Sequence, residues 1–389
     1  MRTVKELFNR LQTAKKFQEK YPDFNMNDGK IHVLFLSAYS NESGYYRAIL
    51  PALELNRTQT HAAIIGQIHK WDFNKQFDDY DTPIDFRLVQ WADYVVLPAM
   101  FTDVRYIIKS MREINSDIDF VMDLDVNYYE LPDYHPDNKL ITSELKDTLI
   151  HNLANVEILT ASNPQILRSY QDFLDKRNEE YLLYFENYKN LLSHFTFEET
   201  KEIKYNTGEK IRIGIIVDSS QAEDLKTIEK PIEALLKKHK QAIEIIIFGW
   251  SGKIAEQHEL FKNLPVTYEK PTCFYNHPEK LNRLAFDIGL LPFINNSYNV
   301  TCKSLNRFLD FAAFMIPVVA SDMLPFTKII TDGENGLIAS SAEDWNSQIE
   351  KLITNTELRK GIGNSAFKTA WEKFSYTPGA ITRLTNIFI

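Results

Sequence analysis

Cysteine is scarce in this sequence, which limits the kinds of protein that it can encode. Cys273 and Cys302 are the two cysteines among 389 residues. Two cysteines in so long a chain do not form a disulfide framework, and they lack the spacing of a zinc site. The chain also lacks an apolar run long enough to cross a bilayer, and its N-terminus is charged rather than apolar. We therefore expect a cytoplasmic protein without a transmembrane segment.

An excess of positive charge is also lacking. The chain has 44 Lys and Arg against 53 Asp and Glu, a formal net charge of −9. This balance gives no overall attraction for a nucleic-acid backbone, although it leaves a local basic groove open. Hydrophobic content of 44% is typical of a soluble globular protein. Because 389 residues are too many for one comfortable core, we expect two domains.

Short apolar runs alternate with amphipathic stretches along the chain. The apolar runs predict strands at 31–37, 61–66, 94–97, 120–124, 156–160, 211–217, 243–249, 266–268, 287–292 and 316–321. The amphipathic stretches predict helices at 4–21, 104–114, 166–195, 301–313 and 345–374. This repetition predicts an α/β protein whose parallel sheets are covered by helices. A polar stretch rich in Thr and Glu at 196–209 predicts the domain boundary.

The region 286–339 holds the densest group of candidate binding residues. Its predicted strand, helix and strand form a βαβ unit. Asn299, Lys303, Ser304 and Arg307 stand at the entry to the predicted helix, after the first strand. Open parallel sheets bind ligands beyond the carboxyl ends of their strands. A helix start reinforced by a lysine, an arginine and a hydroxyl therefore predicts a phosphate site.

This region resembles the C-terminal domain of GT-B glycosyltransferases, in particular the family 4 type (glycosyl transferases group 1). The matching pieces, in the order found in the family, are Asp287-Ile288-Gly289-Leu290, Asn299, Lys303-Ser304, Arg307, Asp310, 317–321, Pro325-Phe326 and Asp332-Gly333-Glu334-Asn335-Gly336-Leu337. The resemblance implies two Rossmann-like parallel-sheet domains facing across a cleft. The amphipathic pattern at 4–21 predicts a helical extension at 1–29. The resemblance suggests an acceptor-side domain at 30–200, a nucleotide-sugar domain at 201–370, and a C-terminal helix at 371–389 that crosses back to the first domain.

The resemblance also implies a reaction. A sugar would pass from a nucleotide-sugar donor, UDP- or GDP-linked, to an acceptor hydroxyl. The enzyme would be a retaining, hexosyltransferase-like transferase that needs neither a metal nor another cofactor. Lys303 and Arg307, with Ser304, would neutralise the donor diphosphate, and Asp310, two helical turns after Lys303, would bind ribose hydroxyls. The acceptor would be a sugar, a lipid-linked group, a protein or a modified base.

Further candidates follow the predicted strands of the first domain. Gly44, Tyr45 and Arg47 open a helix, where glycine lets a backbone approach a ligand. Arg47 would hold a donor phosphate or an acceptor anion, or else lie on the surface at a helix start. Asp123 and Asp125 invite a metal interpretation, as in GT-A enzymes, but the C-terminal half indicates a different fold. We interpret them as carboxylates that bind sugar hydroxyls or orient the acceptor, with Asp123 as a catalytic candidate and a structural role as the alternative.

The second domain offers Ser219 and Ser220 after its first strand and Gly249 after the next as phosphate-binding candidates. The family's Arg and Lys after the first strand are missing, and Cys302 stands where the family has a glutamate. These departures keep open a non-catalytic sugar- or nucleotide-binding module. A sugar epimerase, an inverting transferase and a nucleic-acid-modifying glycosyltransferase also stay open. The N-terminal amphipathic helix would pack on the body, contact a membrane surface, or join two subunits in a homodimer.

Overall fold

The structure is a computed structural model, and it describes residues 4–36, 38–39, 41–69, 84–177, 181, 183–187, 189–194, 202–218 and 220–389. The chain divides into two compact units. The first comprises Met1–Leu131, Asp137–Glu198 and Tyr376–Ile389, and the second comprises Pro132–Pro136 and Glu199–Ser375. A five-residue segment from the N-terminal half therefore belongs to the second unit.

A six-stranded parallel sheet forms the centre of the first unit. Its strands are β1 (Ile31–Phe35), β3 (His61–Ile65), β5 (Tyr94–Pro98), β6 (Asp119–Leu124), β7 (Ile158–Ala161) and β8 (Tyr184–Asn187), in the order β3-β1-β5-β6-β7-β8. A separate pair consists of β2 (Ala38–Tyr39) and β4 (Ile68–His69). The strand order changes direction between β1 and β5, where Val33 pairs with Tyr94. Ligands of open parallel sheets bind at the carboxyl ends of such a pair.

Helices flank this sheet. They are α1 (Val4–Thr13), α2 (Phe17–Lys20), α3 (Glu42–Gly44), α4 (Leu50–Leu55), α5 (Phe86–Trp91), α6 (Arg105–Ile114), α7 (Ser143–Leu153) and α8 (Pro164–Arg177). A π-helical turn at Tyr45–Ile49 joins α3 to α4 without a break, and 3₁₀ turns lie at Tyr128–Glu130 and Pro136–Lys139. Asn41 caps the start of this composite helix, its Oδ1 accepting a hydrogen bond from the Gly44 amide at 3.0 Å.

The second unit is also built on six parallel strands. They are β9 (Ile211–Ile216), β10 (Ile243–Phe248), β11 (Val266–Glu269), β12 (Ile288–Leu291), β13 (Val318–Ser321) and β14 (Leu337–Ala339). Their order, β11-β10-β9-β12-β13-β14, is that of a Rossmann fold, and it changes direction between β9 and β12. Gly214 and Gly289 are paired there, and a Cβ on either would lie 2.6 Å from a Phe286 or Phe311 ring. Glycine thus lets the aromatic rings pack against the sheet.

The helices of the second unit are α9 (Ala222–Lys226), α10 (Glu229–His239), α11 (Gly252–Gln257), α12 (His277–Leu284), α13 (Ser297–Cys302), α14 (Asn306–Ala312), α15 (Ala342–Thr354) and α16 (Thr356–Phe374). Two 3₁₀ turns lie at Phe274–Asn276 and Phe326–Lys328. A continuous apolar core joins the sheet to α10 and α15 through fully buried Ile215, Ile232 and Ile349. None of the helices in the described part of the chain is long and apolar enough to span a membrane.

The C-terminal segment packs in the first unit. Its helix, α17 (Pro378–Thr385), contacts α4. The Tyr94 hydroxyl donates to the carbonyl of Ile389 at 2.7 Å, and Nε2 of His61 lies 3.0 Å from the carbonyl of Phe388. These contacts attach the chain end to the sheet.

Each predicted strand run contains a strand, but four helix predictions need correction. The helix predicted at 166–195 ends at Arg177 and is followed by β8, an edge strand in which Tyr184 is 75% exposed. Tyr188, within the same predicted helix, lies outside the described residues. The stretches 4–21 and 345–374 each form two helices, the second pair divided at Asn355, which caps α16. The helix predicted at 301–313 is interrupted after Cys302.

Candidate functional site

The second unit gathers charged side chains where the order of its strands changes. Asp218 and Ser220 follow β9, and Lys303 follows α13, which itself follows β12. Nζ of Lys303 lies 3.4 Å from Oγ of Ser220 and 5.4 Å from the ring centre of Phe293. Arg307 is close by as well. Three residues predicted from the sequence, Ser220, Lys303 and Arg307, therefore lie at this edge of the sheet. Ser219 lies outside the described residues.

The backbone around Lys303 differs from the predicted continuous helix. Asn296 caps α13 by accepting from the amide of Asn299 at 2.8 Å, and α13 ends at Cys302. Lys303 has extended backbone angles, with φ −69° and ψ 131°. The predicted alignment of Lys303 with Asp310 on one helical face is therefore wrong. The break places the Lys303 side chain beside the loop after β9 instead.

Ser304 lies within this break rather than inside a helix. Its Oγ accepts a hydrogen bond from the amide of Asn306, the first residue of α14, at 3.4 Å. Ser304 thus helps to start α14.

Arg307 and Asp310 form a buried cluster with His277. Nη1 of Arg307 lies 3.2 Å from Oδ2 of Asp310, and Nε2 of His277 lies 3.3 Å from the same oxygen without hydrogen-bond alignment. The His277 ring is stacked on Phe274, at 4.6 Å between centroids. Burial opposes ionisation of Asp310, but His277 and Arg307 outweigh it and lower its pKa. Oδ2 of Asp310, the residue predicted to bind ribose hydroxyls, is thus already engaged by the protein. The sequence analysis did not identify His277 as part of this cluster.

Asp218 lies close enough to both cations of the site to be affected by their charges. Nη2 of Arg307 is 3.6 Å from Oδ2 of Asp218, whose side chain is half exposed. The Ser220 amide and hydroxyl donate to Oδ1 of Asp218 at 2.7 and 2.5 Å. The surrounding protein opposes the charge of Asp218, yet Lys303 and Arg307 lower its pKa below the usual value. Arg307 therefore shares its charge with two carboxylates, whereas Lys303 makes no ion pair with any described carboxylate.

Asn299 holds the loop after β12 in place. Its Nδ2 donates to Oδ1 of Asp224 and to the carbonyl of Ile294, both at 2.9 Å, and the Ile294 amide donates to the same Asp224 oxygen. Burial raises the pKa of Asp224 to about 6, although Lys303 pulls it down. Asn299 is 1% exposed and its side-chain nitrogen binds within the protein, while its role as a donor ligand stays a prediction. Asp224 joins α9 to this loop.

Gly249 is a structural requirement at the end of β10. Its φ is +114°, and a Cβ there would lie 1.9 Å from the carbonyl oxygen of Val217. The next residue, Trp250, donates from Nε1 to the carbonyl of Asp218 at 2.8 Å. Close approach of the two strand ends thus requires glycine and fixes the backbone that carries Asp218.

The segment Pro132–Pro136 adds two aromatic side chains to this site. Nδ2 of Asn296 donates to the Tyr134 hydroxyl at 2.8 Å, and the His135 ring meets Tyr298 edge-on at 5.7 Å. Burial, with help from the Lys303 charge, lowers the pKa of His135 to about 4, so this histidine is neutral at pH 7. Sequence reasoning missed both residues, because nothing local signals that five residues belong to another unit.

Arg47 and Asp123 form a buried ion pair in the first unit. Nε and Nη2 of Arg47 donate to the two carboxylate oxygens of Asp123 at 2.8 and 2.5 Å. The Thr160 hydroxyl donates to Asp123 at 2.5 Å, and Nη1 of Arg47 reaches Asn190 at 3.3 Å. The side chains of Arg47 and Asp123 are 5% and 10% exposed. The interpretation of Arg47 as a surface arginine is therefore wrong, and its guanidinium already binds a carboxylate from the protein.

A pocket adjoins this ion pair at the carboxyl ends of β1 and β5. It is lined by Ser43, Gly44, Arg47, Phe101, Asp125 and Tyr128, among others. The Ser43 hydroxyl donates to Asp125. Burial raises the pKa of Asp125, and the neighbouring charge of Asp123 adds to this effect.

Two of the candidates near this pocket differ from their predicted geometry. Gly44 belongs to α3, with an ordinary φ of −59°, so no unusual backbone requires glycine there. Tyr45 is 1% exposed and packs edge-on against Tyr46, with 5.4 Å between ring centres. Gly44 lines the pocket, whereas Tyr45 belongs to the core.

Comparison with known proteins identifies the fold. No family model and no curated protein matches the sequence. Among solved structures, an α-glucosyltransferase in complex with UDP and a 13-mer DNA containing an HMU base has a TM-score of 0.62, with 10% identity over 92% of this chain and 100% of that one. HepE from Anabaena, in complex with UDP-glucose, has a TM-score of 0.56, with 12% identity over 92% and 98%.

Sucrose-phosphate synthase from Thermosynechococcus elongatus is a third similar structure, with a TM-score of 0.55 and 10% identity over 92% of this chain and 98% of that one. The similarity to these glycosyltransferases extends over nearly the whole chain. This chain therefore has the GT-B fold of two Rossmann-like domains, as the motif resemblance implied.

Proposed function

We propose that this chain is a glycosyltransferase that moves a sugar from a nucleotide-sugar donor to an acceptor hydroxyl. The observation that carries the proposal is Lys303, which lies beside Ser220 where the strand order of the second unit changes. No described carboxylate forms an ion pair with its ammonium group. A cation and a hydroxyl at this edge suit the diphosphate of a bound donor. The GT-B fold supports this assignment.

Lys303 would act mainly on the leaving group. Negative charge builds on the departing diphosphate as the sugar–phosphate bond breaks, and a preorganised cation stabilises that charge. Arg307 would contribute less directly, because Asp310 and Asp218 already share its charge. Because Lys303 supplies positive charge at the site, we propose transfer without a metal. The motif resemblance supports retention of the anomeric configuration, with the leaving phosphate accepting the acceptor's proton.

The first unit would hold the acceptor. Its pocket lies at the carboxyl ends of β1 and β5, and Asp123 would act by positioning Arg47 rather than by touching the reacting atoms. UDP is the favoured donor nucleotide, because similar structures contain UDP or UDP-glucose, and GDP is the alternative. A sugar, a lipid-linked group, a protein and a modified base are all acceptors to test. A cytoplasmic location and a homodimer stay predictions from the sequence.

Thermal unfolding with nucleotides tests donor binding. UDP, GDP, ADP and CMP would each be added to the wild type, to Lys303→Ala and to Lys328→Ala, an exposed lysine of the same unit that serves as the control. A bound nucleotide stabilises the folded state by RT ln(1 + L/Kd), where L is its free concentration, so tighter binding gives a larger thermal shift at the same concentration. We expect UDP to stabilise the wild type and the control, with affinity about tenfold lower in Lys303→Ala. Equal shifts in all three proteins would contradict the assignment of Lys303.

A non-catalytic nucleotide-binding module is the second candidate. It is favoured by the engagement of Arg307 with two carboxylates, which leaves Lys303 as the main cation for a diphosphate. Consumption of a sugar nucleotide by the wild type would exclude this alternative. Binding of the nucleotide with no consumption of any of its sugar conjugates would support it.

A further inference from the structure

We propose that the pocket of the first unit selects an uncharged, hydroxyl-bearing acceptor group and rejects an acceptor that carries phosphate near the reacting hydroxyl. The inference rests on the proposed function in treating this ligand as the acceptor. The inference adds the charge of that acceptor, which neither the fold nor the motifs specify. It replaces the interpretation of Arg47 as a ligand for an acceptor anion.

The pocket presents no net positive charge among the residues that the structure describes, because its two acids outnumber its one cation. Among its described lining residues, Arg47 carries the one positive charge. Asp123 binds Arg47 through both carboxylate oxygens, and Asp125 adds a second acid to the same lining. A phosphate entering here would meet a guanidinium already neutralised by a carboxylate from the protein. Anions bind well where a charged donor has no competing carboxylate, so this pairing disfavours them.

Aromatic rings and a hydroxyl group also line the pocket. The Phe101 and Tyr128 rings lie edge-to-face at 5.1 Å and form part of an apolar wall. Ser43 and Asp125 supply a hydroxyl and a carboxyl group within the same pocket, hydrogen-bonded to each other. An apolar face beside a few polar groups is the usual lining for a small organic ligand. A sugar ring or another uncharged group with hydroxyls matches this combination.

Both protonation states of Asp125 suit a hydroxyl ligand. The ionised carboxylate accepts hydrogen bonds from hydroxyls, while the protonated acid donates one and accepts others. Neither state supplies a positive charge. Ionised Asp125 would also repel a phosphate directly. Burial and Asp123 raise the pKa of Asp125, but the preference for an uncharged ligand is the same in either protonation state.

A matched pair of ligands tests the inference on the full chain. Methyl α-glucopyranoside and glucose 6-phosphate share a sugar ring and differ in charge. Their binding would be followed by saturation-transfer NMR and titration, with and without UDP. We expect the neutral sugar to bind the wild type at least about tenfold more tightly than the phosphate ester, the effect of roughly one unfavourable charge contact in a partly buried site.

Asp123→Asn gives a gain-of-function test. This change keeps the size of the side chain but leaves the Arg47 guanidinium without its carboxylate, so affinity for glucose 6-phosphate should rise about tenfold or more. Asp125→Asn, which removes an acid that does not bind Arg47, should raise it less. Circular dichroism would establish that each variant is folded. If Asp123→Asn does not fold, the Asp125→Asn titration alone decides. An Asp125→Asn variant whose affinity for glucose 6-phosphate does not rise would then count against the inference.

The outcomes separate this inference from the proposed function. Tighter binding of glucose 6-phosphate than of the neutral sugar by the wild type would overturn the inference, as would binding of neither sugar. UDP stabilisation that depends on Lys303 would support the proposed function in either case. Selective binding of the neutral sugar, together with no binding of any nucleotide, would leave the charge selectivity standing and refute the transferase.

Discussion

Asp224→Asn is the substitution for which the structure gives the clearest pH-dependent expectation. Asp224 is 1% exposed, and burial raises its pKa from 3.8 to about 6. The folded protein therefore holds a proton on Asp224 that the unfolded chain releases between about pH 4 and 6. Since the folded state binds more protons in this window, stability falls as the pH rises through it. A difference of about two pKa units corresponds to a loss of about 3 kcal/mol by pH 7.

Asparagine at position 224 keeps an oxygen that can accept from the Ile294 amide and the Asn299 side chain, but it does not ionise. Urea denaturation at steps from pH 4 to pH 7.5 would give the free energy of unfolding of both proteins. We expect the variant's stability relative to wild type to rise by up to about 3 kcal/mol across this range. Asp322→Asn, on the surface of the same unit, is the control for a change of charge. A difference that is flat or falls with pH would refute the reasoning.

Three other predictions concern stability and binding. Gly249→Ala should destabilise the second unit by at least about 2 kcal/mol, because φ is +114° and the new Cβ would collide with Val217. The control Gly361→Ala, in an open helical position, should be neutral or stabilising. Arg47→Ala should cost about 3–5 kcal/mol by leaving buried Asp123 unpaired, whereas Arg105→Ala, in an exposed pair, should change stability little, both measured by urea denaturation. UDP affinity should fall several-fold as salt is raised, and calorimetry showing a salt-independent affinity would contradict an electrostatic role for Lys303.

Strands were easier to predict from this sequence than the breaks between helices. Runs such as Ile243–Phe248 are nearly continuous in β-branched residues, as expected for parallel strands buried on both faces. The helical periodicity around Lys303 is equally regular, yet α13 ends at Cys302, and Asn299 within it is bound by Asp224. A contact between residues 75 positions apart leaves no periodic signal in the sequence.

The candidate site could be predicted only in part, because many of its contacts also join residues far apart in the sequence. Motif order drew attention to Lys303, Arg307 and Asp310, and the structure places Arg307 and Asp310 in one ion-paired cluster. The residues that pair with these charged side chains come from other parts of the chain. His277 lies in a stretch whose local sequence gives no sign of a shared site, Asp218 precedes the predicted serines without being a candidate itself, and Arg47 pairs with Asp123 across 76 positions.

Donor turnover is the measurement that tests the central claim most directly. The sugar conjugates of the nucleotide that stabilises the protein would be incubated with the wild type and Lys303→Ala in the presence of neutral acceptor sugars, and NMR would follow nucleotide release and the new anomeric proton. The account predicts release and a product with the donor's anomeric configuration for the wild type, and turnover at least about a hundredfold slower for the variant. A nucleotide that binds at Lys303 while all of its sugar conjugates stay intact would contradict the assignment as a transferase.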